Sequence, residues 1–285
     1  MWRAALLPAA LALGIGLVAR AGILRNRISR LRIDNYRGKR VSVVGGVVIA
    51  VTVAAVESIT WLTGLAAPGF ERFAGGMGSR VHLGTLVLAL GFFGLGFLDD
   101  YAGDGRSKGF GGHLRALKRA DLTTGAIKAF GGAGLAFAVC MWWEDLFVPA
   151  AILDAVVIAL AANFINLLDL RPGRAAKGFL ILWLLPAAAA RNSEYLPVSA
   201  AVAAAVVAWL PADLQERGTL GDAGANMIGA VLGAGLVAVS GMPGRLAALA
   251  LLVVVTLASE RVSFTKVIER TAPLRWLDEL GRLRR

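Results

Sequence analysis

Three short clusters in this chain hold side chains suited to phosphate and metal chemistry. The first is Gly96-Phe97-Leu98-Asp99-Asp100-Tyr101, which closes an apolar run. Carboxylates at a helix C-terminus face the negative end of the macrodipole and need a cation, a lysine or a divalent ion, to offset them. Successive helical positions point about 100° apart, so Asp99 and Asp100 can take two roles, one facing a metal and the other a substrate. The second cluster is Asn163-Phe164-Ile165-Asn166-Leu167-Leu168-Asp169. Asn163 and Asn166 share a helix face that Asp169 continues, and polar groups so near hydrocarbon line a cavity or bond to neighbours. Arg171, Arg174 and Lys177 follow in a short basic turn suited to phosphate. The third cluster is Gly221-Asp222-Ala223-Gly224. Alone, Asp222 reads as a helix N-cap; beside the other two clusters it is a third carboxylate position. Hard oxygen ligands in this number suit Mg²⁺ shared with substrate phosphates, the arrangement phosphoryl transfer requires.

Accessory groups surround these clusters. Residues 102–119 form a Gly-rich basic loop able to approach anions, in which His113 reads as a solvated residue. Lys128 either snorkels to the membrane interface or binds a phosphate. Glu57 and Asp154 lie inside apolar runs, where an acid is expensive. Each is either hydrogen-bonded to a neighbouring helix or part of a proton path.

The elements that must carry these residues are apolar helices. The 285 residues are 57% hydrophobic and 17% charged, with a mean hydropathy of +0.68. A soluble domain carries about 25% charge, which excludes an ordinary cytosolic enzyme, a disordered chain and a secreted disulfide scaffold. The single cysteine, Cys140, rules out an intrachain disulfide and a Cys-based zinc site. A membrane helix needs about 20 apolar residues, and nine runs approach this: 4–24, 43–65, 81–98, 124–142, 147–168, 175–190, 196–211, 222–240 and 244–259. The sixth and seventh are short and Ala-rich. The expectation is an all-α polytopic membrane protein of about nine transmembrane helices. Residues 1–259 form one helical domain with cytoplasmic catalytic loops, and 260–285 form a basic cytoplasmic tail. Glycines at 91, 94, 96, 131, 132, 134, 229, 233 and 235 read as helix-packing positions. Pro and Gly punctuate most span boundaries, Pro68-Gly69 among them.

The charge of +11 orients the bundle. With the N-terminus outside and the C-terminus cytoplasmic, 25 of the 30 Lys and Arg fall on the cytoplasmic side, as the positive-inside rule requires. The outside ones are Arg3, Arg72, Arg80, Arg191 and Arg245. The expectation is a multi-pass protein of the cell's inner (plasma) membrane with its active site cytoplasmic, and nucleic acid is not needed to explain the basic balance. The stretch from Arg25 to Arg40, with Arg27 and Arg30 inside it, reads as an anchor on anionic headgroups, compatible with capture of a phosphorylated lipid.

These motifs resemble the polytopic polyprenyl-phosphate N-acetylhexosamine-1-phosphate transferases, a family that includes phospho-N-acetylmuramoyl-pentapeptide transferase. Residues 96–101 are similar to its aspartate-pair motif, 163–169 to its Asn-x-x-Asn-Leu-x-Asp motif and 221–224 to its Gly-Asp-x-Gly motif. Gly45-Gly46 resembles the end of a Pro-x-x-Gly-Gly motif, and Lys128 matches a family lysine. Leu170 and Pro172 depart from the family pattern, and the loop after Ser259 lacks its His cluster. The resemblance implies transfer of a sugar-1-phosphate from a UDP-sugar to a polyprenyl (undecaprenyl) phosphate, with release of UMP, in cell-envelope synthesis. It implies Asp99, Asp100 and Asp169 as catalytic residues and Asp222 as the Mg²⁺ ligand. Asn163, Asn166, Lys128, Arg171 and Arg174 would bind substrate. The implied partners are the UDP-sugar donor, the polyprenyl phosphate acceptor and membrane lipids, with a homodimer allowed. Two other readings stay open: a transporter or flippase with Glu57 and Asp154 on its ion path, and an inactive family member that binds lipid phosphate.

Overall fold

The computed structural model describes residues 2–25, 31–66, 78–102, 124–145, 147–190 and 194–283. The basic loop with His113, the arginines at 27, 30, 72 and 191, and Pro68-Gly69 lie outside them. The apolar runs form helices α1 (Trp2–Arg25), α2 (Gly45–Ala66), α3 (Arg80–Ala102), α4 (Thr124–Trp143), α5 (Val148–Leu168), α6 (Arg174–Ala189), α7 (Tyr195–Leu214), α8 (Gly221–Val239) and α9 (Met242–Ser259). Two short helices follow, α10 (Phe264–Arg270) and α11 (Ala272–Glu279). The chain is an all-α polytopic membrane protein in which, among the described residues, eight helices are long and apolar enough to cross a bilayer.

The nine expected runs all form helices; the one not among the eight is the sixth. The sixth run makes α6, 16 residues long and so about 24 Å, short of the roughly 30 Å hydrocarbon core. Its first turn is spent on Arg174 and Lys177, both buried outside the apolar stretch. Gly173, just before α6, lies against Leu210 and Leu214 near the end of α7. Helix α6 therefore leads away from this end of the bundle and α7 returns to it.

Helix α8 is the axis of the bundle, packing against α2, α3, α5, α6 and α7. Its small residues make this possible. A Cβ on Gly229 would stand 2.6 Å from the Ala162 Cα, and one on Gly233 2.7 Å from the Ile158 Cα. Not every glycine in the runs is a packing position, because Gly94 and Gly134 face open space. Helix α9 lies at the periphery against α5 and buries only Leu252.

The two acids inside the spans have local partners. Glu57 Oε2 is 2.9 Å from His82 Nε2, and both residues are buried. Arg245 Nη1 donates to Asp154 and to Glu144, each at 2.7 Å, tying α9 to the start of α5.

The sequence reading missed a small sheet at one end of the bundle. Strands β1 (Arg32–Asp34) and β2 (Arg40–Val43) pair antiparallel, and β2 pairs parallel with β3 (Gly218–Thr219). The register sets Ser42 opposite Gly218 and Val43 opposite Thr219. The sheet thereby ties the first loop to the turn that opens α8.

The C-terminal segment is more than a basic tail. Asp278, buried on α11, receives Arg174 Nε at 2.8 Å and Nη2 at 3.0 Å. Lys177 Nζ donates to the carbonyls of Leu277, Asp278 and Leu280 at 2.7, 2.7 and 3.0 Å, a cation set where the helix dipole is negative. Burial pushes the Asp278 carboxyl up, but the hydrogen bond and charge of Arg174, with Arg282 and Lys177, hold it below its ordinary range. A carboxyl depressed in the folded state stabilises above its unfolded pKa and loses that contribution as pH falls through the folded value. The segment is thus expected to stay docked at neutral pH and to loosen only under acid, below about pH 4. Asp278→Ala should release it at neutral pH, at a cost of about 3 kcal/mol, because Arg174 is left as a buried unpaired charge. Limited trypsin cleavage at Arg270 and Arg275 at neutral pH measures the effect of the substitution; a variant no more sensitive than wild type would refute the docking role.

Candidate active site

The sheet and three helix ends bring the predicted carboxylates together. Asp99 and Asp100 sit on the last turns of α3, Lys128 early in α4 and Asp222 in the first turn of α8. Lys128 Nζ lies 2.7 Å from Asp99 Oδ2 and also bonds to Asp222 Oδ2. The two aspartates therefore face one cationic centre, and Lys128 takes up neither a purely interfacial nor a purely phosphate-binding place.

Asp100 resolves the problem of an acid at a helix C-terminus. Its Oδ1 accepts from the Asp222 N–H at 3.0 Å and its Oδ2 from the Ala223 N–H at 2.9 Å. The carboxylate of α3 thus caps α8, exchanging the negative end of its own helix dipole for the positive end of another. Asp222 does not cap its own helix: it is a first-turn residue, and the N-cap position, Leu220, makes no side-chain bond. Its side chain stays 34% exposed, against 16% for Asp99, which leaves it accessible to a ligand.

Close backbone approach makes this arrangement possible. Gly221 has φ +68°, and a Cβ there would stand 2.7 Å from an Asp100 carboxylate oxygen. The Gly46 N–H donates to the Leu220 carbonyl at 3.1 Å, so the Gly45-Gly46 pair lets α2 start directly against the start of α8. Asn226 Nδ2 closes the turn on the Asp222 carbonyl at 2.6 Å.

Asp169 follows α5 and reaches the same turn, with Thr219 Oγ1 at 3.5 Å from its Oδ2. Burial pushes its carboxyl well above the usual range, and the charges of Asp213, Asp222 and Asp100 add to this against a Gly221 N–H that lowers it. Asp213 escaped the sequence reading. It is buried near the end of α7, and its Oδ2 has no hydrogen-bond partner among the described residues. Its only sequence signal is an acid two residues past Pro211 at a span end.

The substrate-binding candidates scatter. Asn163 and Asn166 are half-buried on the last turns of α5, leading to Asp169. Arg171 stacks over Tyr36 at 4.1 Å and bonds Glu269 at 3.3 Å, bridging the first loop and α10. Arg174 is a correction: Asp278 and Thr265 engage its buried guanidinium, so it fastens the C-terminal segment in place of presenting to a phosphate.

Among the described residues, no three His, Cys, Asp or Glu converge as a protein-only metal cage. The donor set still fits Mg²⁺, which takes one or two carboxylates and completes its shell with water and phosphate. Asp99 and Asp222 already converge on a cation, and Asp100 and Asp169 reach the same turn.

The fold and site define a multi-pass membrane helical bundle with a carboxylate–lysine cluster at one end. The chain matches no protein-family model and no curated protein.

Proposed function

We propose that this chain is an Mg²⁺-dependent phosphoglycosyl transferase. It moves a sugar-1-phosphate from a UDP-sugar to a polyprenyl phosphate at the cytoplasmic face of the plasma membrane. The observation that carries this reading is the convergence of Asp99, Asp222 and Lys128 from three helices, with Asp100 fixing the α8 turn and Asp169 touching it. Such a site suits a reaction in which catalysis is positioning and charge neutralisation.

In the reaction, a bond forms between an oxygen of the lipid phosphate and the sugar-bearing phosphorus of the donor. The bond from that phosphorus to the UMP oxygen breaks, and UMP leaves. Asp222 would hold Mg²⁺, which when bound neutralises the donor pyrophosphate. Asp99 takes the role of base on the lipid phosphate or of a covalent nucleophile. Lys128, released from its aspartates, would offset phosphate charge. Asp100 acts through the α8 turn as a positioning residue. Asn163, Asn166 and Arg171 line the approach along α5 and its following turn.

Local pairing of Glu57 with His82 and of Asp154 with Arg245 disfavours the ion path that a transporter would need. The deciding assay incubates purified protein with polyprenyl phosphate, Mg²⁺ and a panel of UDP-sugars. UMP release dependent on both lipid and Mg²⁺ is expected. Thermal stabilisation by Mg²⁺ and a UDP-sugar without UMP would replace this reading with an inactive binding protein.

A further inference from the structure

A second charged feature lies on the other side of the small sheet. A pocket of about 580 Å³ is enclosed by the last turns of α1, the strands β1 and β2, and the turn before β3. Among the described residues, six cationic side chains line it: Arg20, Arg25, Arg32, Lys39, Arg40 and Arg217. The one acid among these described lining residues, Glu216, is already engaged, by Arg37 Nε at 3.3 Å, Asn35 Nδ2 at 3.3 Å and Tyr36 Oη at 3.4 Å. Arg37 therefore leaves the basic set of the first loop, and Arg20 and Arg217 join it from elsewhere in the chain.

Six like charges around one cavity repel unless an anion joins them. Arg32 adds a specific sign of a missing acceptor. Its Nε is buried and has no hydrogen-bond partner among the described residues, and a guanidinium N–H left unpaired loses its hydration without return. The guanidinium fork matches phosphate oxygens in a bidentate way.

The pocket is separate from the carboxylate cluster. Ser42 lines it, while the neighbouring Val43, facing the opposite side of the strand, lies against Gly221 beside Asp100. Ala21 and Leu24 give the pocket an apolar edge, continuous with the exposed Leu17 and Val18 higher on α1.

We propose that this pocket binds a phosphate group, either an anionic phospholipid headgroup with its chains along α1 or a soluble phosphate. The proposal is independent of the transfer reaction.

The test titrates the detergent-solubilised full chain with dihexanoylphosphatidylglycerol, dihexanoylphosphatidylcholine and inorganic pyrophosphate, followed by calorimetry. Variants are Arg32→Gln and the double substitution Lys39→Ala with Arg40→Gln. The latter two residues are exposed, so that chain folds even if Arg32→Gln does not. Arg270→Gln, exposed on α10, is the control. Phosphatidylglycerol binding is expected to weaken about tenfold for each cation removed, with the control unchanged. Tighter binding of phosphatidylglycerol than of pyrophosphate identifies the lipid source; the reverse order identifies the soluble one. Equal binding of phosphatidylcholine, or wild-type affinity for both anions in the double variant, overturns the proposal.

Discussion

Asp222→Asn is expected to lower UMP release about a thousandfold while leaving the chain folded. The reason lies in what this carboxylate touches. Its side chain bonds Lys128 and remains one-third exposed, so it is accessible to a ligand and little of it is spent on packing. The backbone N–H and carbonyl of Asp222, by contrast, serve the fold through Asp100 and Asn226, and asparagine keeps both. Removing one preorganised charged group from such a site costs about 10²–10³ in rate, and loss of the carboxylate proposed to hold Mg²⁺ adds to it, giving about 4 kcal/mol in the barrier. Lys128 keeps Asp99 as a partner, so thermal stability should change by under about 1 kcal/mol. Steady-state UMP release beside a melting curve separates the two effects. Full turnover in the folded variant would remove Asp222 from the site.

Asp100→Ala is expected to fail differently, losing stability and activity together. Two backbone N–H groups at the start of α8 lose their acceptor, and nothing else in the first turn replaces it, because Leu220 and Asp222 cap nothing. Two charge-assisted bonds at a buried helix start amount to about 2–4 kcal/mol. The uncapped turn also carries Asp222, so turnover falls with it. Asp100→Asn should sit between wild type and alanine: its amide oxygen serves one N–H, while its NH₂ confronts the other. A graded series in melting temperature, alanine below asparagine below aspartate, checks this. Equal stability of all three would show that Asp100 does not hold α8.

The outcome at Asp99–Asp100 shows how far the chain could be read without its fold. Two acids at an unfavourable helix end required two compensations, and the sequence named the class of compensation, a cation, without its source. Asp99 received Lys128. Asp100 received a helix N-terminus 122 positions away, a partner made of backbone and hence silent in residue types. The same blindness hid the sheet, whose longest strand has four residues inside a basic loop and whose two-residue β3 carries no periodicity. Arg174 looked like a phosphate ligand because Arg-Pro-Gly-Arg is a basic turn. Its partner, Asp278, lies 104 positions on, in a segment read only as a charged tail.

What the sequence determined alone was the solvent and the set of candidate groups. Twenty-residue apolar runs can only be membrane helices, since unpaired backbone is too costly in lipid, and acids at their ends must be compensated. The length of α6, the capping of α8 by Asp100, the diversion of Arg174 to Asp278 and the gathering of six cations around one pocket were decided by tertiary structure. Each depends on which helix ends meet, and that follows from how closely α8 lets its neighbours approach along small side chains. Packing of this kind is a property of surfaces brought together, and no local pattern of residues encodes it.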